Sequence, residues 1–187
     1  MPTAEPTRRV FFALWPTEEQ RRALAESAQS VSHAEGGRLV PALNFHVTLV
    51  FVGSVPEARM QDLSKIADDV SSTARKSREL NSDQLQIAFD AVEYWRKPRI
   101  ICAIASKPSA AASALSEALK LSLLAAGFTP DVKPFRAHVT LARKVPHGSH
   151  DRALQSVHWR FSDFALVESR TESQGAVYRV RESFPLA

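Results

Sequence analysis

Apolar and polar positions alternate in a way that divides the chain into short strands separated by helices. Residues 9–14 (RVFFAL) form a strand-like apolar run, closed by Trp15-Pro16. Thr17 reads as a helix N-cap, with Glu18 and Glu19 in the first turn and Gln20 completing a capping box, and predicts a helix to about Ser32. Gly36-Gly37 breaks the chain. A short extended piece through Pro41 then enters Phe45-His46-Val47-Thr48-Leu49-Val50-Phe51-Val52, a strand expected to end at Gly53. Pro56 at an N1 position opens a second helix, with Met60, Leu63, Ile66, Ala67 and Val70 at helical spacing. The polar stretch from Ser71 to Asn81 closes it. Two strands over 85–94 and 99–105 are joined by the turn Trp95-Arg96-Lys97-Pro98. A third helix begins at Pro108-Ser109, presents Leu115, Leu119, Leu123 and Leu124, and ends at Gly127. Pro134-Phe135-Arg136 leads into a strand at His138, residues 146–155 read as a polar loop, and strands over 159–168 and 176–184 finish the chain. This order is α+β, and the hairpins near residues 95 and 173 imply antiparallel pairing.

Within that pattern one tetrapeptide occurs twice: His46-Val47-Thr48-Leu49 and His138-Val139-Thr140-Leu141. Four identical residues carry little weight alone. Both copies, however, lie in strand-like surroundings, each mid-way through one half of the chain. In a strand each His and its Thr share a face, ~6.6 Å apart, while Val and Leu point into a core. Two such strands side by side would converge two imidazoles and two hydroxyls, a set suited to a phosphate group with acid–base chemistry on both flanks.

Composition narrows the setting. A chain of 187 residues with 44% hydrophobic and 24% charged residues is expected to form one domain with a sizeable core. The net charge of +4 suits a polyanionic substrate without requiring one, and no long Lys/Arg block suggests duplex binding. A single cysteine, Cys102 within the apolar run 100–104, excludes an intrachain disulfide and reads as a buried, inert thiol. The apolar run 10–15 is too short for a signal-peptide core or a membrane span, so a cytoplasmic protein without membrane contact is expected. No Gly-rich phosphate loop or Cys-pair zinc motif occurs.

The paired motifs in this element order resemble the 2H phosphoesterase superfamily, named for its two His-x-Thr-x motifs. The chain is more closely similar to the RNA 2′,3′-cyclic phosphodiesterases, also called 2′-5′ RNA ligases of the LigT type. The resemblance rests on Arg9-Val10-Phe11-Phe12-Ala13-Leu14, Phe45-His46-Val47-Thr48-Leu49 with Gly53, Tyr94-Trp95-Arg96, and the run from Phe135 to Arg143. It implies a bilobal fold, with two antiparallel sheets in pseudo-two-fold symmetry around a central cleft and helices outside. Residues 1–187 would be a single two-lobed domain, with 1–7 a loose tail. It further implies metal-independent hydrolysis of RNA 2′,3′-cyclic phosphate ends to 2′-phosphomonoesters, with His46 as general acid and His138 as general base. The hydroxyls of Thr48 and Thr140 would bond the non-bridging oxygens. No cofactor is implied, the partner is RNA or an oligonucleotide with a cyclic phosphate end, and a monomer is expected. Ligation of 2′-5′ ends, action on a small cyclic phosphate or a 2′-5′ linked nucleotide, and an RNA-end-binding module without turnover are the competing readings; intact acid–base pairs argue against the last.

Three further residues are substrate-binding candidates. Arg143 is a phosphate or ribose ligand by resemblance, yet strand parity puts it with Val139 and Leu141 on the face opposite His138, so only a bulge or strand end would bring it into the cleft. Tyr94 and Trp95 would stack a base or cap the sheet. Arg9 and Phe51 read as structural. His33, His147, His150 and His158 read as solvated, and the spacing of His147, His150 and Asp151 is not that of a zinc site.

Overall fold

Two antiparallel sheets, each drawing strands from both halves of the chain, position everything else in this computed structural model, which describes residues 5–29, 37–76, 85–148, 152–172 and 175–186. The chain runs β1 (Thr7–Leu14), α1 (Glu18–Ala28), β2 (Arg38–Leu39), β3 (Val47–Pro56), α2 (Met60–Lys76), β4 (Gln86–Trp95), β5 (Ile100–Ile104), α3 (Ala110–Ala125), β6 (His138–Arg143), β7 (Arg152–Arg160), β8 (Asp163–Glu172) and β9 (Gly175–Pro185). The first sheet has the order β3-β1-β8-β9 and the second β2-β6-β5-β4-β7. The expected helix end at Ser32, together with His33, Gly36, residues 77–84, His150 and Asp151, lies outside the described residues.

Local signals explain most boundaries. Thr17 and Gln20 form the capping box at the start of α1, and Ser109 accepts from the Ala112 amide at the start of α3. Gly127 takes φ 75 just past the end of α3, a conformation glycine adopts without steric cost. Several boundaries differ from the pattern-based expectation, beginning with β1, which starts at Thr7, inside the expected loose tail. β3 continues through Gly53 to Pro56, because Gly53 (φ 98) absorbs a bulge opposite β1 and Pro56 ends an edge strand that needs no further amide donor. A 3-10 turn over Glu57–Arg59 then precedes α2, so Pro56 does not open that helix. The apolar run 159–168 is not one strand. Trp159 belongs to β7 in the second sheet, its buried indole donating to the Gln20 carbonyl at 2.9 Å, and the chain steps over Phe161-Ser162 into β8 of the first sheet. β7 begins at Arg152, so the expected polar loop is shorter.

The helices are exchanged between the sheets. α1 follows β1 of the first sheet but packs on β7 of the second. α3 follows β5 of the second but packs on β3 of the first and on α2. Their apolar faces, with the covered faces of both sheets, form one core containing Phe12, Leu14, Val47, Leu63, Leu115, Val139 and Trp159. Burial of this kind stabilises by ~25 cal/mol per Å² of apolar surface. The opposite faces of the two sheets carry the polar and aromatic residues described next.

Candidate active site

Both copies of the repeated tetrapeptide contain a β-bulge at the same position. In β3, Ala13 pairs with Thr48 and Phe12 with Val50, so Leu49 is the extra residue. In β6, Cys102 pairs with Thr140 and Ile101 with Ala142, so Leu141 is the extra residue. Leu49-Val50 and Leu141-Ala142 are accordingly buried as consecutive pairs. Each bulge restarts the alternation one residue late. Ile104, Cys102 and Ile100 share a face of β5, and their partners His138, Thr140 and Arg143 therefore share a face of β6. The bulge places Arg143 with the histidine, against the parity expectation. Phe51 holds the equivalent place in the other lobe, paired with Phe11 on the His46 face. The bulge carbonyls are both satisfied: Leu49 accepts from the buried Ser116 hydroxyl of α3 at 2.7 Å, and Leu141 from the Val40 amide at 2.8 Å.

The two histidines are fixed alike. His46 Nδ1 lies 2.7 Å from the Asn44 carbonyl and His138 Nδ1 lies 2.8 Å from the Arg136 carbonyl. A carbonyl only accepts, so Nδ1 carries the proton in both, and each Nε2 is left for other chemistry. Their surroundings differ. His46 is boxed by Phe11 (ring centroids 5.0 Å), Trp15 (5.5 Å, stacked) and Tyr178 (4.9 Å, edge-on). Burial pushes its pKa down to about 4, the Asn44 bond opposing and the charges of Arg143, His138 and Arg21 assisting. The two motifs therefore lie within electrostatic reach of each other. His138 packs on Trp95 at 4.6 Å, and its pKa is also lowered, by burial first and then by Arg136 and Arg143, against the Arg136 carbonyl bond.

Trp95 is held by a small network. Its indole donates to Glu93 at 2.8 Å, Arg136 donates to the same carboxylate at 2.5 Å, and the Arg136 guanidinium lies over the Trp95 ring at 5.4 Å. Burial alone would raise the Glu93 pKa; the bonds from Arg136 and Trp95 more than offset it, leaving the carboxyl below its usual range. Opposite Thr140 on β5 lies Cys102, fully buried, its thiol pushed up to about 12 by burial.

Of the sequence-derived candidates, His138, Thr140, Arg143 and Trp95 share the cleft face of the second sheet, and His46 and Thr48 that of the first. Tyr94 is a correction. It pairs with Ile101 on the core face, and its hydroxyl donates to the Val145 carbonyl at 3.0 Å, so it braces the chain after β6 rather than facing the cleft. Its ring leaves no room at Gly148, where a Cβ would meet Tyr94 Cγ at 2.1 Å. Sequence reading missed Phe11, Trp15 and Tyr178 around His46, and Arg38, which pairs with Arg143 on the same face. Trp15 was visible as the closing residue of the first strand; Tyr178 carried no signal, because β9 comes near His46 only through the pairing of β8 with the sequence-distant β1. Among the described residues no group of three His, Cys, Asp or Glu could hold a metal ion, and no helix is long and apolar enough to cross a membrane.

Comparison with known proteins agrees with this fold. Residues 16–172 match the family model of the 2′-5′ RNA ligase superfamily. The chain is 31% identical over 192 residues to the RNA 2′,3′-cyclic phosphodiesterase of Thermus thermophilus, covering 95% of this chain and 90% of that protein. It is 30% identical over 108 residues to the protein of the same name from Bacillus subtilis, covering 56% and 54%. Among solved structures, LigT of Escherichia coli complexed with 3′-AMP superposes with a TM-score of 0.83 at 21% identity, covering 97% of this chain and 99% of that one. A Thermus thermophilus structure gives 0.72 at 29% identity, covering 95% and 97%. Fold, repeated motif and matched extent lead to one assignment: the chain belongs to the 2′-5′ RNA ligase superfamily.

Proposed function

We propose that the protein hydrolyses RNA 2′,3′-cyclic phosphate ends to 2′-phosphomonoesters, without a metal, using His46 and His138 as an acid–base pair. The observation that carries this reading is the matched tautomer of the two histidines, each with Nδ1–H engaged by the carbonyl two residues earlier and Nε2 free. The activity for which the Thermus thermophilus relative is named points the same way. His138 Nε2 takes a proton from water, whose oxygen attacks phosphorus. The P–O3′ bond breaks, and His46 Nε2 gives its proton to the departing O3′. Thr48 and Thr140 donate to the non-bridging oxygens, and Arg143 offsets the charge building on them.

A general acid must start protonated, and the protein's own surroundings keep His46 neutral near pH 7. The phosphodiester anion supplies what is missing, since a negative charge beside an imidazole favours the charged form. Substrate binding therefore arms the acid. The deciding experiment incubates the protein with a 2′,3′-cyclic nucleotide in chelator and identifies the monoester by phosphorus NMR. A 2′-phosphate is expected. Activity lost to chelator and restored by metal would overturn the mechanism, and a 3′-phosphate would reverse the two histidine roles.

A further inference from the structure

The cleft face of the first sheet does not end at His46. Beyond Thr48 the same face carries Phe11, Phe51 and Tyr178, and then Arg9, which pairs with Ser54. Arg9 lies four residues along β1 from Ala13, the partner of Thr48, or ~13 Å at ~3.3 Å per residue. Its guanidinium sits over the Phe51 ring at 4.9 Å and borders a cavity of about 430 Å³ lined also by Ser54, Ser169 and Thr171.

The other guanidinium groups around this cavity are already engaged. Arg8 donates to Glu57 and Glu168, and Arg170 pairs with Glu168 at 2.9 Å. Arg9 is exposed and, among the described residues, makes no ion pair or hydrogen bond. Three arginines against two carboxylates leave the cavity positive. The pseudo-symmetry of the bulges adds a second argument. The position that Arg143 occupies in the second lobe is Phe51 in the first, and Arg9 stacks on it, so the first lobe too presents a guanidinium beyond its His-x-Thr pair.

We infer that Arg9 and Phe51 form a subsite for the single-stranded RNA 5′ of the cyclic end, Arg9 binding an upstream phosphate and Phe51 with Tyr178 supporting a base. An aromatic floor leading to a cation is the pattern that single-stranded nucleic acid binds: stacking serves any base, and the cation tracks the backbone. A mononucleotide held at the histidines does not extend as far as Arg9, whereas an oligonucleotide does. The inference deepens the reading of the site given above and rests on it for the position of the cyclic end.

The test compares Arg9→Gln with the parent protein on a 2′,3′-cyclic mononucleotide and on a hexanucleotide ending in a 2′,3′-cyclic phosphate. Binding of a labelled hexanucleotide ending in a 2′-phosphate is titrated across salt concentrations alongside. The substitution should weaken hexanucleotide binding and raise its KM about three- to tenfold, with the salt slope flattened by ~0.7, the value for one phosphate contact on a single strand. Mononucleotide kinetics should not change. Arg9→Lys should restore the salt slope, and Phe51→Leu should weaken the hexanucleotide alone. An Arg9→Gln protein with parental hexanucleotide affinity and slope, whatever its melting temperature, overturns the inference, as does an equal effect on both substrates. Should neither substrate be hydrolysed, the catalytic reading fails while the titration still decides this one.

Discussion

His46 and His138 occupy identical tetrapeptides but different chemical settings, and that difference is what experiments at the residue scale should read. Replacing either with Ala should lower turnover by ~10²–10⁴-fold, with the double variant losing less than the product because the two act as a unit. Circular dichroism should show both folded; unfolding of either would return it to a structural role. Both pKa values lie below 6.5 in the free protein, so kcat/KM should follow a bell on the acid side of neutrality. The optimum for kcat should lie higher, since bound phosphate raises both values; coincident optima above pH 7 would contradict this. Stability follows the same shift with a definite sign. The folded protein disfavours protonated His46, so its contribution is present above the unfolded value of about 6.5 and is lost as pH falls toward about 4. That loss is at most about 3 kcal/mol at ~1.4 kcal/mol per unit. Melting temperature should fall across this window, and less steeply in His46→Gln. The histidines and threonines were legible from the sequence because a repeated pattern advertises itself. The aromatic box around His46 was not, since Tyr178 reaches it through the long-range pairing of β1 with β8, which no local pattern encodes.

The bulges decide which side chains enter the cleft, and they are a property of whole strands. Strict alternation places Arg143 in the core; one extra residue at Leu141 turns it outward. The sequence does hold a trace of this in the adjacent apolar pairs Leu49-Val50 and Leu141-Ala142, which interrupt a period of two. Such pairs occur in many strands without bulges, so the partner strand had to be known first. Arg143→Ala should raise KM for an oligonucleotide and weaken its salt dependence without lowering stability; lower stability with unchanged kinetics would mean the guanidinium serves the fold. Ser116→Ala tests the bulge itself. It removes the donor that satisfies the buried Leu49 carbonyl and should cost ~1–3 kcal/mol, read as a lower denaturant midpoint. Because Leu49 lies between Thr48 and Phe51, kcat should fall as well. A midpoint within error of the parent would show that the carbonyl finds another partner.

At the scale of the molecule, α1 and α3 each bind the sheet opposite to the one they leave, and β7 and β8 divide what reads as one apolar run between the two sheets. Composition and periodicity indicated the element types but not this exchange, because a helix's apolar stripe does not record which sheet it covers. With one core shared by both lobes, thermal unfolding followed by tryptophan fluorescence and by far-ultraviolet circular dichroism should coincide; two separated transitions would mean the lobes melt independently. The interleaving also has a consequence during synthesis. β1 gains its second neighbour only when β8 has left the ribosome, roughly 8–30 s after β1 itself at ~5–20 residues per second. Until then the apolar strand VFFAL has one open edge, the kind of surface that pairs with other nascent chains. The His46 box, whose Tyr178 wall comes from β9, is completed only once that strand has emerged, so a chain stalled earlier would hold the first His-x-Thr motif without the enclosure that sets its acidity.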